Sequence, residues 1–199
     1  MRRLKLFEHT SIDGVIAPGS PGEFTDDFTN SGWMAAYRSP AGREAVAAAH
    51  GSSFDLVLGR RTYDLWAGYW PKVENNPMAE RLNAATKFVA THRPESLGWG
   101  PARHLGQDAV DGVRQLKLQD GPDLIMWGSA AVAATLLQHG LVDEVVLFIY
   151  PLLLGRGKRF FSIHADPHEL ALVSSSTLPN GVVVSHFRHV GTLATSPRG

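Results

Sequence analysis

Phe54-Asp55-Leu56-Val57-Leu58-Gly59-Arg60-Arg61-Thr62-Tyr63 joins a short apolar run to a polar one through a single glycine. An apolar run of about four to eight residues ending at a turn signal reads as a buried strand, and a helix is expected to begin at Arg61 or Thr62. Gly59 lets the chain turn tightly there, and the first N–H groups of the helix then face outward as a site for an anion. Arg60, Arg61 and Thr62 add charge-assisted and hydroxyl hydrogen bonds suited to phosphate. The same four residues read equally well as a helix cap with solvated arginines, because such junctions often carry glycine and polar residues.

Outward from this junction, the same alternation repeats along the chain. Leu4 to Ser11 reads as a first strand, and Asp13-Gly14 with the stretch 18–32 reads as a turn and a long loop of the kind that often binds ligands. Gly42 to His50 is an alanine-rich helix, Pro71 stops the helix after Gly59, and Pro77 opens another through Ala84. Thr86 to Thr91 is a third strand. Asp108 caps a helix to about Leu118, Asp123 to Trp127 is a strand, Ser129 to His139 is a helix that Gly140 ends, and Asp143 to Ile149 is a further strand. Strands and helices alternating at this length predict a largely parallel sheet with helices on both faces. The C-terminal part differs: Glu169 to Leu178 and Val182 to His189 flank Pro179-Asn180-Gly181, a hairpin signal that adds antiparallel strands. One domain over 1–190 and a C-terminal tail over 191–199 are expected.

A second junction, Gly128-Ser129-Ala130-Ala131, follows strand Leu124 to Trp127, and its small side chains allow a ligand close to the backbone of another helix start. Two such junctions can face one diphosphate. Small residues also allow plain packing of helix on sheet, and the three-glycine dinucleotide fingerprint is absent. Thr91 and Arg93 end the third strand, where an arginine suits a further phosphate such as that on the ribose of NADPH, or simply sits on the surface before Pro94. Asp13 can orient a polar group or relay a proton, and Asp-Gly is equally ordinary turn chemistry. Trp66, Tyr69 and Trp70 form a candidate aromatic substrate pocket, or pack a loop on the core.

Composition limits the alternatives. The 199 residues carry 19 basic and 19 acidic side chains, so no global field draws nucleic acid or an anionic membrane. With no cysteine in the chain, thiolate chemistry, disulfides and cysteine-ligated metals are excluded. No apolar run approaches the ~18 residues of a membrane helix, nor does the N-terminus reach signal-peptide length, so a cytoplasmic protein is expected. His164 and His168 invite a metal reading, but Pro167 lies between them and no third ligand is suitably spaced, so no metal is expected. No Gly-x-Ser-x-Gly nucleophile elbow occurs.

Taken in order, Ser11-Ile12-Asp13-Gly14-Val15-Ile16-Ala17, Leu58-Gly59-Arg60-Arg61-Thr62-Tyr63, Gly128-Ser129 and Gly140-Leu141-Val142-Asp143-Glu144 leading to Pro151-Leu152-Leu153-Leu154-Gly155 resemble the dihydrofolate reductase-like superfamily. The chain is particularly similar to the reductase domain of the bacterial riboflavin-biosynthesis deaminase-reductase. The resemblance implies an α/β three-layer sandwich and NADPH as hydride donor. It implies Ile16 and Ala17 near the nicotinamide, Arg60, Arg61 and Thr62 on phosphates, Thr91 and Arg93 near the adenosine end, and Gly128 to Ala131 along the diphosphate. It also implies a homodimer. Riboflavin reductases usually carry an acidic Asp-Pro element after the second strand and a glutamate before a double glycine. Here Trp66-Ala67-Gly68-Tyr69-Trp70-Pro71 and Trp127-Gly128-Ser129 stand instead. The helix before Gly59 offers only Glu44 for the carboxylate of true dihydrofolate reductases. The expectation is an NADPH-dependent reductase of a small pyrimidine or pterin. A non-catalytic nucleotide-binding module or sensor, and a reductase using another redox cofactor, remain as alternatives.

Overall fold

A computed structural model describes residues 1–16, 32–155, 157–161 and 166–193. Ala17, most of the long loop, His164 and the end of the expected tail lie outside the described residues.

The strands are β1 (Leu4–Ser11), β2 (Phe54–Gly59), β3 (Lys87–Ala90), β4 (Ala102–His104), β5 (Asp123–Trp127), β6 (Glu144–Tyr150), β7 (His168–Thr177) and β8 (Val183–Thr192). The helices are α1 (Pro40–His50), α2 (Arg60–Tyr69), α3 (Pro77–Ala84), α4 (Ala109–Leu118) and α5 (Ala130–Gln138). One eight-stranded sheet runs in the order β4-β3-β2-β5-β1-β6-β8-β7. All pairings from β4 to β6 are parallel, and β8 joins β6 and β7 antiparallel. This is the expected α/β sandwich with its C-terminal hairpin. β8 runs to Thr192, two residues past the expected end of the domain at 190.

Period-two alternation gives the sheet two apolar faces. Leu4, Leu6, Val57, Leu124, Met126 and Val145 pack against Val113 and Leu116 of α4 and Ala133 and Leu136 of α5. Phe7, Leu56, Leu58, Ile125, Trp127, Val146 and Phe148 pack on the other face, against Tyr63 of α2 and Leu82 of α3. The central strands, covered on both sides, are therefore almost continuously apolar.

The helices differ in how they begin. Ser39 Oγ accepts from Gly42 N at 3.0 Å, Asn76 Oδ1 from Met78 N at 2.9 Å, and Asp108 Oδ1 from Val110 N at 2.7 Å, so α1, α3 and α4 are capped by side chains. Neither α2, which follows Gly59, nor α5, which follows Ser129, takes a side-chain cap.

Candidate functional site

β2 and β5 are adjacent and parallel, so their C-terminal ends deliver the starts of α2 and α5 to the same end of the parallel strands. The two starts touch. Gly59 N donates to Ser129 Oγ at 2.8 Å, and the Thr62 and Ser129 hydroxyls lie 2.9 Å apart. Ser129 thus spends its hydroxyl on the neighbouring junction rather than on its own helix. A Cβ on Gly59 would meet Ser129 Oγ at 2.3 Å and its Cβ at 2.8 Å, which only glycine avoids. Gly128, with φ 57°, and Ser129, with φ 57° and ψ 55°, are both left-handed, and together they reverse the chain into α5. The result is two uncapped helix N-termini side by side, with positive partial charge and backbone N–H groups at the strand ends. Ala130 is buried in the packing and Ala131 is exposed at the first turn.

Arg60, at the start of α2, is largely engaged within the protein. Its Nε donates to Asp64 Oδ2 at 2.9 Å and its Nη2 lies 2.7 Å from Asp64 Oδ1. Its Nη1 donates to Ser96 Oγ at 2.6 Å and to Arg93 O at 3.0 Å, and lies 3.5 Å from Thr91 Oγ1. Thr91 is buried and accepts from Arg93 N at 3.0 Å. The structure therefore brings Arg60, Thr91 and Arg93 together, as one cluster around the turn 91–96. Arg61 is exposed beside it.

At the end of β1, Asp13 closes a turn. Its carboxylate accepts from Ser11 Oγ at 2.6 Å, Leu154 N at 3.1 Å and Gly155 N at 2.7 Å, and its carbonyl accepts from Arg159. These bonds, led by Ser11, hold its pKa down to about 2. The carboxylate is ionised at neutral pH and serves as an acceptor that ties β1 to the segment after β6. Ile16 is buried and bridges Thr10.

Trp66 packs towards Trp127, with ring centroids 6.4 Å apart, and Trp70 lies edge-on to Trp66 at 5.9 Å. Tyr69, 48% exposed, meets Trp70 edge-on at 5.1 Å and forms the outer, solvent-facing end of this cluster. Behind Trp66 lie residues that motif reading passed over. His9 stacks on Trp127 at 5.1 Å, and its Nδ1 shares a hydrogen bond with Tyr150 OH at 3.0 Å. His50 accepts from Trp127 Nε1 at 2.9 Å and contacts Val46 O through Nδ1 at 2.7 Å, which assigns its proton to Nδ1. Burial pushes both imidazoles down to about 4 and raises the Tyr150 phenol to about 12, so all three are neutral at pH 7. The signal was present in the sequence as His9 two residues after Phe7, on the same strand face. Periodicity does not tell a core histidine from a ligand-facing one. Among the described residues no group of three or more metal-ligating side chains occurs, and no helix is long and apolar enough to cross a membrane.

Comparison with known proteins gives this geometry a family. Residues 2–184 match the RibD C-terminal domain. The protein YyaP of Bacillus subtilis, itself uncharacterised, is 30% identical over 132 residues, 64% of this chain and 70% of its own length. Among solved structures, a Shewanella sp. PV-4 protein with a provisional riboflavin-biosynthesis assignment is similar, with a TM-score of 0.69 and 20% identity, over 94% of this chain and 99% of its own. A pyrimidine reductase-like protein of Corynebacterium diphtheriae gives a TM-score of 0.60 at 16% identity, over 95% of this chain and 92% of its own. The deaminase/5-amino-6-(5-phosphoribosylamino)uracil reductase of Thermotoga maritima gives 0.62 at 15%, over 95% of this chain. The chain spans 57% of that bifunctional protein.

Proposed function

The chain belongs to the RibD C-terminal domain family, and from that premise we propose that it is an NADPH-dependent reductase of a small heterocycle of pyrimidine or pterin type. The observation that carries this reading is the pair of uncapped helix starts joined at Gly59 and Ser129, where α1, α3 and α4, the other α-helices among the described residues, are capped by side chains. The N–H groups of α2 and α5 suit the diphosphate of a dinucleotide, and Arg93, 63% exposed beside Thr91, suits a phosphate on its ribose. When bound, NADPH supplies the hydride; the protein supplies position and environment.

In this reading Trp66 and Trp70 hold a flat ring, and the His9 and Tyr150 pair offers neutral donors and acceptors in place of charge. Such a lining suits an uncharged heterocycle better than a sugar phosphate. A homodimer working in the cytoplasm, with no nucleic-acid or membrane partner, goes with it.

The test is consumption of NADPH, followed by absorbance, with a panel of aminopyrimidines, their ribosylated and phosphoribosylated forms, and pterins. Steady turnover with one class supports the reductase. Tight dinucleotide binding without turnover on any of them favours a nucleotide sensor built on the same cradle.

A further inference from the structure

Asp64 sits where it alters what the arginine cluster can bind. It lies one helical turn after Arg60, and its two oxygens meet Arg60 side-on at 2.9 and 2.7 Å. The oxygen at 2.9 Å also lies 3.5 Å from Nη2 of Arg93. One carboxylate therefore bridges both cations at the end of β3. The side chains are 20%, 44% and 63% exposed for Arg60, Asp64 and Arg93, so the cluster opens to solvent and a ligand can reach it.

We propose that Asp64 is a specificity-determining residue that weakens discrimination between phosphorylated and unphosphorylated nicotinamide dinucleotides by occupying the charge of Arg60 and Arg93. The inference rests on the reading of this end of the strands as a dinucleotide site. A ribose 2′-phosphate is held most strongly by unopposed positive charge, and here it shares Arg93 with a carboxylate and lies within the repulsive field of that carboxylate. A ribose 2′-hydroxyl meets no such repulsion, and it can donate to a carboxylate. Arg60 compensates little, because its Nε and Nη2 face Asp64 and its Nη1 holds Ser96 and the Arg93 carbonyl. Its role is positioning: it fixes the turn from which Arg93 projects.

The experiment is calorimetric titration of the wild-type protein and of Asp64→Asn with NADPH and with NADH at fixed ionic strength. Asp111→Asn serves as control, since that exposed carboxylate pairs with Arg114 on α4 and removes the same charge elsewhere. Thermal unfolding of each variant confirms folding. The expected result is wild-type binding of both dinucleotides, and a gain of about fivefold in the NADPH to NADH affinity ratio for Asp64→Asn, the scale of one exposed ion pair. The control leaves the ratio unchanged. If wild type binds both and Asp64→Asn leaves the ratio where it was, or moves it towards NADH, the role of Asp64 is wrong while the dinucleotide site stands. If wild type binds neither, both fall together.

Discussion

The backbone N–H of Gly59 donates to the hydroxyl of Ser129 across 2.8 Å, so the start of α2 is fastened to the start of α5. This bond makes two unremarkable strand–helix junctions into one site. It also explains a glycine at 59 whose φ of −76° any residue could adopt. Space, not conformation, excludes a side chain there.

Gly59→Ala should therefore destabilise the protein by about 1–3 kcal/mol, the usual cost of overpacking. Ser129→Gly removes both clashing atoms and places glycine at a left-handed position, so the double variant should recover much of the loss. Denaturant unfolding of the two single variants and the double variant measures this as a coupling energy. Simple additivity would show that the two junctions are independent.

Acid should act through the two imidazoles behind Trp127. His9 and His50 are held at about 4 in the folded protein, first by burial, against 6.5 ordinarily. Between those values the unfolded chain binds more protons, so their contribution to stability is complete above about pH 6.5 and is lost as pH falls towards 4. Each ring contributes at most about 1.4 kcal/mol per pH unit in that window. Unfolding midpoints should fall on acidification from pH 6.5 to 4, and His50→Gln should make the fall shallower. An unaltered pH slope in that variant would place the acid sensitivity elsewhere.

Local chemistry made most of the fold legible. β1 and β5 follow from apolar runs bounded by turn residues, α3 from Pro77, α4 from Asp108, and the hairpin from Asn180-Gly181, whose glycine takes φ 84°. The three-residue β4 was not legible, because a strand so short carries no periodicity and depends on pairing with β3. The site was legible only in part. Gly59 and Gly128 mark the two junctions, but the bond between Gly59 and Ser129 joins residues 70 apart in sequence. The capture of Arg60 by Asp64 has a local signal, an i,i+4 pair on one helix. Whether such a pair is solvated decoration or a constraint on a neighbouring arginine depends on where β3 ends.

Asp13 offers a separate check. Its carboxylate already accepts three hydrogen bonds and has a pKa held near 2, so its contribution to stability is present above the ordinary value of 3.8 and is lost only as pH falls towards 2. Asp13→Asn should lower the unfolding midpoint while leaving the pH dependence of turnover between about pH 5 and 9 unchanged in shape, since the carboxylate does not titrate there. Loss of one limb of that profile would instead make Asp13 a proton relay.

A carboxylate at Ala131 separates the helix starts as an anion site from the helix starts as plain packing. Ala131 is exposed in the first turn of α5, where an acidic side chain favours the helix dipole and so leaves folding intact. The measurement is calorimetric titration of wild type and Ala131→Glu with NADPH. The prediction is saturable wild-type binding that weakens by about tenfold or more in Ala131→Glu, with an unfolding midpoint equal to or above that of wild type. Undiminished binding by Ala131→Glu, or no saturable binding by the wild-type protein, would contradict a dinucleotide held between Gly59 and Ser129.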